Sequence, residues 1–115
     1  MVIEGQVHGG IVHGLGQALF ERAIYDEDGH LLSDTLENYA LPKAEGLPHF
    51  ELDFLMIPTP HNPLGSKGAG EVGTVGAAAA VGNAVCDALR DYGVKHIDMP
   101  YTPETLWRAM HSTNR

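Results

Sequence analysis

The stretch Asn62–Gly76 constrains this chain more than any other. Gly65, Gly68, Gly70, Gly73 and Gly76 crowd into it, and a lone carboxylate, Glu71, follows Gly68-Ala69-Gly70. Glycine loses more conformational freedom on folding than any other residue. Such density is therefore kept where the backbone takes positive φ or comes close to another group. A loop of this kind can aim its peptide N–H groups at an anion or a polar cofactor, and a helix start behind it adds positive dipole. Glu71 in that setting is a candidate general base. The alternative is a glycine-rich turn with a solvated glutamate.

A chain of 115 residues is expected to form a single domain, residues 1–115, with a modest core. Its formal net charge of -8 argues against a nucleic-acid or anionic-membrane partner, because no basic cluster is present to release counterions. Cys86 is the single cysteine, which rules out an internal disulfide and a cysteine-ligated cluster. It lies in an Ala/Val run and reads as a small core residue. No apolar segment approaches a membrane span, and Met1-Val2-Ile3-Glu4 lacks the basic start of a signal peptide. The expected compartment is cytoplasmic, unless a partner carries an export signal.

Ile3 to Tyr25 reads as a helix in which Val7, Ile11, Leu15 and Leu19 form a buried stripe. Gly9, Gly10, Gly14 and Gly16 lie inside it, each about 1 kcal/mol worse than alanine in a helix interior. Gly10 and Gly14, one turn apart, leave a flat groove for another backbone or a cofactor, with tight helix packing the favoured reading. Gln6, near the start of this helix, carries an amide that both donates and accepts. His8 and His13 do not share a helix face and have no His-Glu-x-x-His context, so a histidine metal site is not expected.

Asp26-Glu27-Asp28-Gly29 reads as a solvated hairpin turn between extended pieces at Tyr25 and Leu31-Leu32, with Gly29 at positive φ. It lacks the further ligands of a calcium loop. Thr35 to Tyr39 forms one helical turn before Pro42. Phe50 to Ile57 alternates as a half-buried strand, with Phe50, Leu52, Phe54 and Met56 on one side and Glu51, Asp53 and Leu55 on the other. Pro58, Pro60 and Pro63 stiffen the approach to the glycine loop. Thr74 is placed as N-cap of a helix from Val75 to about Tyr92, with Val81, Val85, Leu89 and Tyr92 buried and Gly93 terminating it. A last helix starts at Thr102-Pro103-Glu104, with Leu106, Trp107 and Met110 as its apolar contacts. The order of elements predicts an α+β fold, with helices packed on a small mixed sheet.

Four motifs taken in order carry a family resemblance: Gln6-Val7-His8-Gly9-Gly10-Ile11-Val12-His13-Gly14-Leu15-Gly16, Glu37-Asn38-Tyr39-Ala40-Leu41-Pro42, Gly65-Ser66-Lys67-Gly68-Ala69-Gly70-Glu71, and Met99-Pro100-Tyr101-Thr102-Pro103-Glu104. Over nearly its whole length the chain resembles the C-terminal part of the molybdopterin-binding large subunit of the xanthine dehydrogenase, aldehyde oxidase and carbon monoxide dehydrogenase family. His13 departs from the glutamine more often found there. The resemblance implies an oxidoreductase that hydroxylates an aldehyde, an N-heteroaromatic ring or a similar carbon with oxygen from water, or oxidises carbon monoxide. It implies a molybdenum-pterin cofactor in a dinucleotide form, held only in the complete enzyme. Glu71 falls on the family's catalytic base, Gln6 on a glutamine beside the cofactor, and Lys67, Gly68, Ala69 and Gly70 on the loop passing next to it.

The family's subunit is several times longer than this chain. The implied partners are therefore the remainder of that subunit, an iron-sulfur subunit, a flavin subunit and a small-molecule substrate. The chain by itself is expected to be inactive and to expose apolar area. Two readings stand beside this one. The first is a non-catalytic interaction or assembly module built on the same fold. The second is a nucleotide or phosphate binder, ranked low because Gly-x-x-x-x-Gly-Lys-Ser/Thr is absent.

Overall fold

In a computed structural model, residues 1–112 are described. Three helices organise them: α1 (Val2–Leu15), α2 (Thr74–Ala88) and α3 (Pro103–Ser112). A π-helical turn, Gly16–Phe20, continues α1, and Glu21 turns extended with φ -75° and ψ 129°. The first helix thus stops before the expected Tyr25. Among the described residues no helix is long and apolar enough to cross a membrane.

The crossing of α1 and α2 holds these parts together, and the glycines make it possible. Gly10, Gly14, Gly16 and Ala18 are the buried positions of the first helical segment, whereas Val7, Ile11, Leu15 and Leu19 are only half-buried. A Cβ at Gly10 would stand 3.0 Å from the Gly73 Cα, and one at Gly14 would stand 2.6 Å from the Ala77 Cβ. A Cβ at Gly73 would approach the Ile11 nitrogen to 2.7 Å and meet the Val7 carbonyl. The two backbones touch directly, so the contact is set by small residues and not by the leucine/valine stripe. Thr74 departs from expectation in the same place. Gly73 is the N-cap of α2, and the Thr74 hydroxyl instead donates to the Gly10 carbonyl at 2.9 Å.

Beyond Ala88, α2 passes through a 3-10 turn, Arg90–Tyr92, and ends at Gly93 with φ 78°. This left-handed conformation is the expected glycine terminator. Leu89 is buried, Val81 and Val85 are half-buried, and Tyr92 is exposed. Tyr101 then closes the far side. It is 8% exposed, its N–H donates to the Ala18 carbonyl at 2.7 Å, and its hydroxyl lies over Gly82. In α3 the Thr102 hydroxyl caps by accepting from the Thr105 N–H at 3.2 Å. Leu106 and Met110 are half-buried. Trp107 is exposed and stacks on His111, ring centroids 4.3 Å apart.

The small mixed sheet is absent among the described residues, which form helices, turns and irregular chain. Its first component survives as one isolated antiparallel bridge, Tyr25 with Leu31, closed by Asp26 N–H donating to the His30 carbonyl at 3.0 Å. Gly29 takes φ 84° in that turn, as the hairpin reading requires. Residues 50–57 and 94–100 form no strand because neither finds a neighbour to pair with. The consequence is a thin core. Among the described residues no large side chain is fully buried, and the radius of gyration is 18.1 Å, against about 13 Å for a compact domain of this length.

Candidate functional site

The loop that leads into α2 is built by turns that spend their hydrogen bonds early. The Gly65 N–H donates to the Asn62 carbonyl at 3.0 Å, the Ser66 N–H to Asn62 Oδ1 at 3.1 Å, and Asn62 Nδ2 to the Ser66 carbonyl at 2.9 Å. After Ser66 the backbone is bare. The N–H groups of Lys67, Gly68, Ala69 and Gly70 have no partner among the described residues. Nothing lies within 4 Å of where a Cβ would stand at Gly68 or Gly70. Pairing resumes at Glu71, whose carbonyl accepts from Thr74 N–H at 3.0 Å and Val75 N–H at 3.4 Å.

Glu71 therefore sits in the turn that opens α2, on the positive end of the helix. Its side chain is exposed and makes no hydrogen bond or ion pair among the described residues. Lys67 is likewise exposed and unpaired. Gln6 is exposed on α1, one residue before Val7, whose carbonyl faces Gly73. The helix crossing thus brings Gln6 and Glu71 to the same end of the α1/α2 pair. Gly9, three residues along α1 from Gln6, is also open, with nothing within 4 Å of its missing Cβ.

An open hollow of ≈ 580 Å³ joins the loop to the start of α1. Ile3, Phe54, Met56, Lys67, Gly68 and Ala69 are among its walls. Gln6, Gly70 and Glu71 are not on its lining. Of the residues singled out in the sequence, Lys67, Gly68 and Ala69 line this hollow, while the Glu71 carboxylate is exposed outside it. As a test of whether a large anionic pterin group fits here, the donor set is favourable. A run of free peptide N–H groups, a lysine and a glutamine amide suit phosphate and pterin oxygens, and the glycines leave backbone open to close approach.

Three features lay outside the sequence reading. Thr74 reaches back to Gly10 across the crossing. The Tyr39 hydroxyl donates to Glu21 Oε2 at 2.8 Å, and that charged neighbour raises the phenol above its ordinary value. The Ser33 hydroxyl, on a buried residue, accepts from the Ile24 N–H at 3.1 Å. Of these groups only Tyr39 stands inside a motif singled out in the sequence, Glu37–Pro42, and nothing there points to Glu21.

Among the described residues only His30 of the histidines falls in a cluster of metal-ligating side chains. His8 packs its ring against Phe50, centroids 5.5 Å apart, and its Nε2 is buried without a partner among the described residues. Asp26, Asp28 and His30 cluster on the exposed hairpin. There Asp26 Oδ1 already accepts from the Asp28 N–H at 3.0 Å and the His30 N–H at 2.8 Å, and these donors, His30 first, lower the Asp26 carboxyl below its usual range. The carboxylate is employed in closing its own turn.

Comparison with known proteins bears on the same features. A molybdopterin cofactor-binding domain family matches residues 1–48. The carbon monoxide dehydrogenase large chain of Hydrogenophaga pseudoflava is 41% identical over 114 residues, covering 99% of this chain and 14% of that one. The xanthine dehydrogenase molybdenum-binding subunit of Escherichia coli O157:H7 is 38% identical over 112 residues, covering 96% of this chain and 14% of its relative. Among solved structures, a Cu,Mo-CO dehydrogenase in its carbon monoxide reduced state superposes with a TM-score of 0.91 at 38% identity, over 98% of this chain and 14% of the other. The chain spans about one seventh of the length of these relatives, 14% in each case.

Proposed function

The chain belongs to the family of molybdopterin-binding large subunits that includes those of xanthine dehydrogenase, aldehyde oxidase and carbon monoxide dehydrogenase, and from that premise we propose that it is one wall of a molybdenum hydroxylase active site. The reaction class is oxidation of an aldehyde, an N-heteroaromatic or a similar carbon with oxygen drawn from water. One observation carries this reading: bare peptide N–H groups from Lys67 to Gly70 end in a free carboxylate at the start of a helix.

A molybdenum-pterin cofactor, in a dinucleotide form, supplies the redox chemistry when bound. Lys67, Gly68, Ala69 and Gly70 would hold its polar groups through backbone N–H and the lysine ammonium, and Gln6 would donate or accept from the opposite helix. Glu71 would accept at its carboxylate a proton from the water-derived oxygen that is added to the substrate carbon, help worth about 10²–10⁴-fold. Its unpaired carboxylate at the end of a glycine run is free to act as acceptor, and closure by the rest of the subunit removes the water that now surrounds it. The remainder of the large subunit supplies the other walls. Iron-sulfur and flavin subunits carry electrons away, and this chain alone does not turn over.

Glu71→Gln in the assembled subunit tests the assignment. Turnover should fall by about 10²–10⁴-fold while molybdenum content, read by elemental analysis, stays unchanged. Turnover within a few-fold of the parent would remove Glu71 from the role.

A further inference from the structure

One side chain bridges the two halves of the candidate site. The Thr74 N–H donates to the Glu71 carbonyl at 3.0 Å, and the Thr74 hydroxyl donates to the Gly10 carbonyl at 2.9 Å. Gly10 lies one turn after Gln6 on α1. A single residue therefore ties the turn that carries the carboxylate to the helix that carries the amide.

That tie is needed because the rest of the crossing is smooth. Gly10, Gly14, Gly73 and Ala77 meet with nothing larger than a methyl group between the two backbones. Such faces approach closely but seat no large side chain in a hole. Dispersion then fixes the distance between the helices better than their position along one another. Among the described residues, the bond from Thr74 to Gly10 is the only hydrogen bond that joins α1 to α2. Hydrogen bonds weaken steeply with misalignment, so this contact favours one register. The branched Cβ of threonine leaves its hydroxyl few directions to take. Misplacing a reacting group by about 1 Å can cost about 100-fold in rate, so register along this groove bears directly on catalysis.

We propose that Thr74 is a positioning residue: its hydroxyl sets the register of α2 on α1, and with it the separation of Glu71 from Gln6. The glycines allow the close approach, and Thr74 decides where along the groove it stops. What Glu71 does once placed rests on the function proposed above, whereas the register itself does not.

Spin–spin distances in the full 115-residue chain, read by electron paramagnetic resonance, test the register. Labels go on Gly5→Cys and Val72→Cys, exposed neighbours of Gln6 and Glu71, with Cys86→Ser removing the native thiol. Thr74 and Thr74→Ser should give one narrow distance. Thr74→Val should broaden it or move it by about 1.5 Å, the rise of one helical residue, or more. A narrow, unmoved distance in Thr74→Val overturns the inference. Helix content lost in Thr74→Val by circular dichroism makes the bond a requirement of the fold and overturns a positioning role.

The assembled subunit supplies the second measurement, with benzaldehyde as an aldehyde of the proposed class and molybdenum content measured on each sample. Thr74→Val should lower kcat by about 10–100-fold, and Thr74→Ser should restore it to within a few-fold of the parent. In a Glu71→Gln background Thr74→Val should add no further loss, because the two residues act as one unit. Undiminished kcat in Thr74→Val, or an equal loss in both backgrounds, overturns the inference and leaves Glu71 its role. Full turnover in Glu71→Gln removes the proposed function, and a parent enzyme that leaves benzaldehyde untouched removes the aldehyde class. In either of those cases the label distances alone decide whether Thr74 sets the register.

Discussion

Two groups of glycines in this chain do opposite things. At the α1/α2 crossing, Gly10, Gly14 and Gly73 have no room for a Cβ, because backbone or side chain of the facing helix already stands there. At Gly9, Gly68 and Gly70 nothing lies within 4 Å of the missing side chain. The first group is explained by the fold. The second is bare without internal cause, and in the function proposed above that space is taken by the cofactor. A glycine in a sequence says only that space is needed; the structure says which space is already filled.

Substitution separates the two groups most sharply. Gly73→Ala should destabilise the helix pair by about 1–3 kcal/mol, as overpacking against rigid backbone does, seen as a lower urea midpoint in circular dichroism. Gly9→Ala should instead stabilise the isolated chain by about 0.5–1 kcal/mol through helix propensity, yet lower molybdenum retention in the assembled subunit. Equal responses at the two sites would erase the distinction. Thr74→Val, which removes the hydroxyl bonded to Gly10, should cost about 0.5–1.5 kcal/mol in the same urea measurement. A smaller effect belongs to Tyr39. Its folded-state phenol is raised by Glu21, so its contribution is complete below the unfolded tyrosine pKa and is lost as pH rises through the folded value. A stability profile from neutral to strongly alkaline pH should show that loss in the parent chain and lack it in Tyr39→Phe.

Local chemistry was legible in the sequence wherever a few neighbouring residues decide the outcome. The hairpin at Asp26–Gly29, the glycine terminator at Gly93 and the Thr102 cap each rest on one turn of backbone and occur as read. The glycine loop was legible as a stretch of special backbone, with Gly65 at φ 64°. Thr74 shows the limit. A threonine ahead of a helix is ordinarily a cap, and only the approach of α1, whose Gly10 lies 64 positions earlier, turns its hydroxyl elsewhere. The sheet shows a second limit. Alternation reports the intention of residues 50–57 to pair, but a ladder needs a neighbour, and none of the described residues supplies one. Trp107 illustrates the same point on α3: an apolar residue at helical spacing was read as core, and the side chain stacks on His111 in the open.

The bond from Thr74 to Gly10 has a bearing on assembly order. It fastens together the two ends of a long, mostly irregular excursion of chain, and closing such an excursion is entropically unfavourable before any contact is gained. Gln6 and Glu71 come to the same end of the helix pair only once that fastening holds. The arrangement proposed for the acid and the amide therefore depends on a contact between residues far apart in sequence, and it is absent from a chain in which that contact has yet to close.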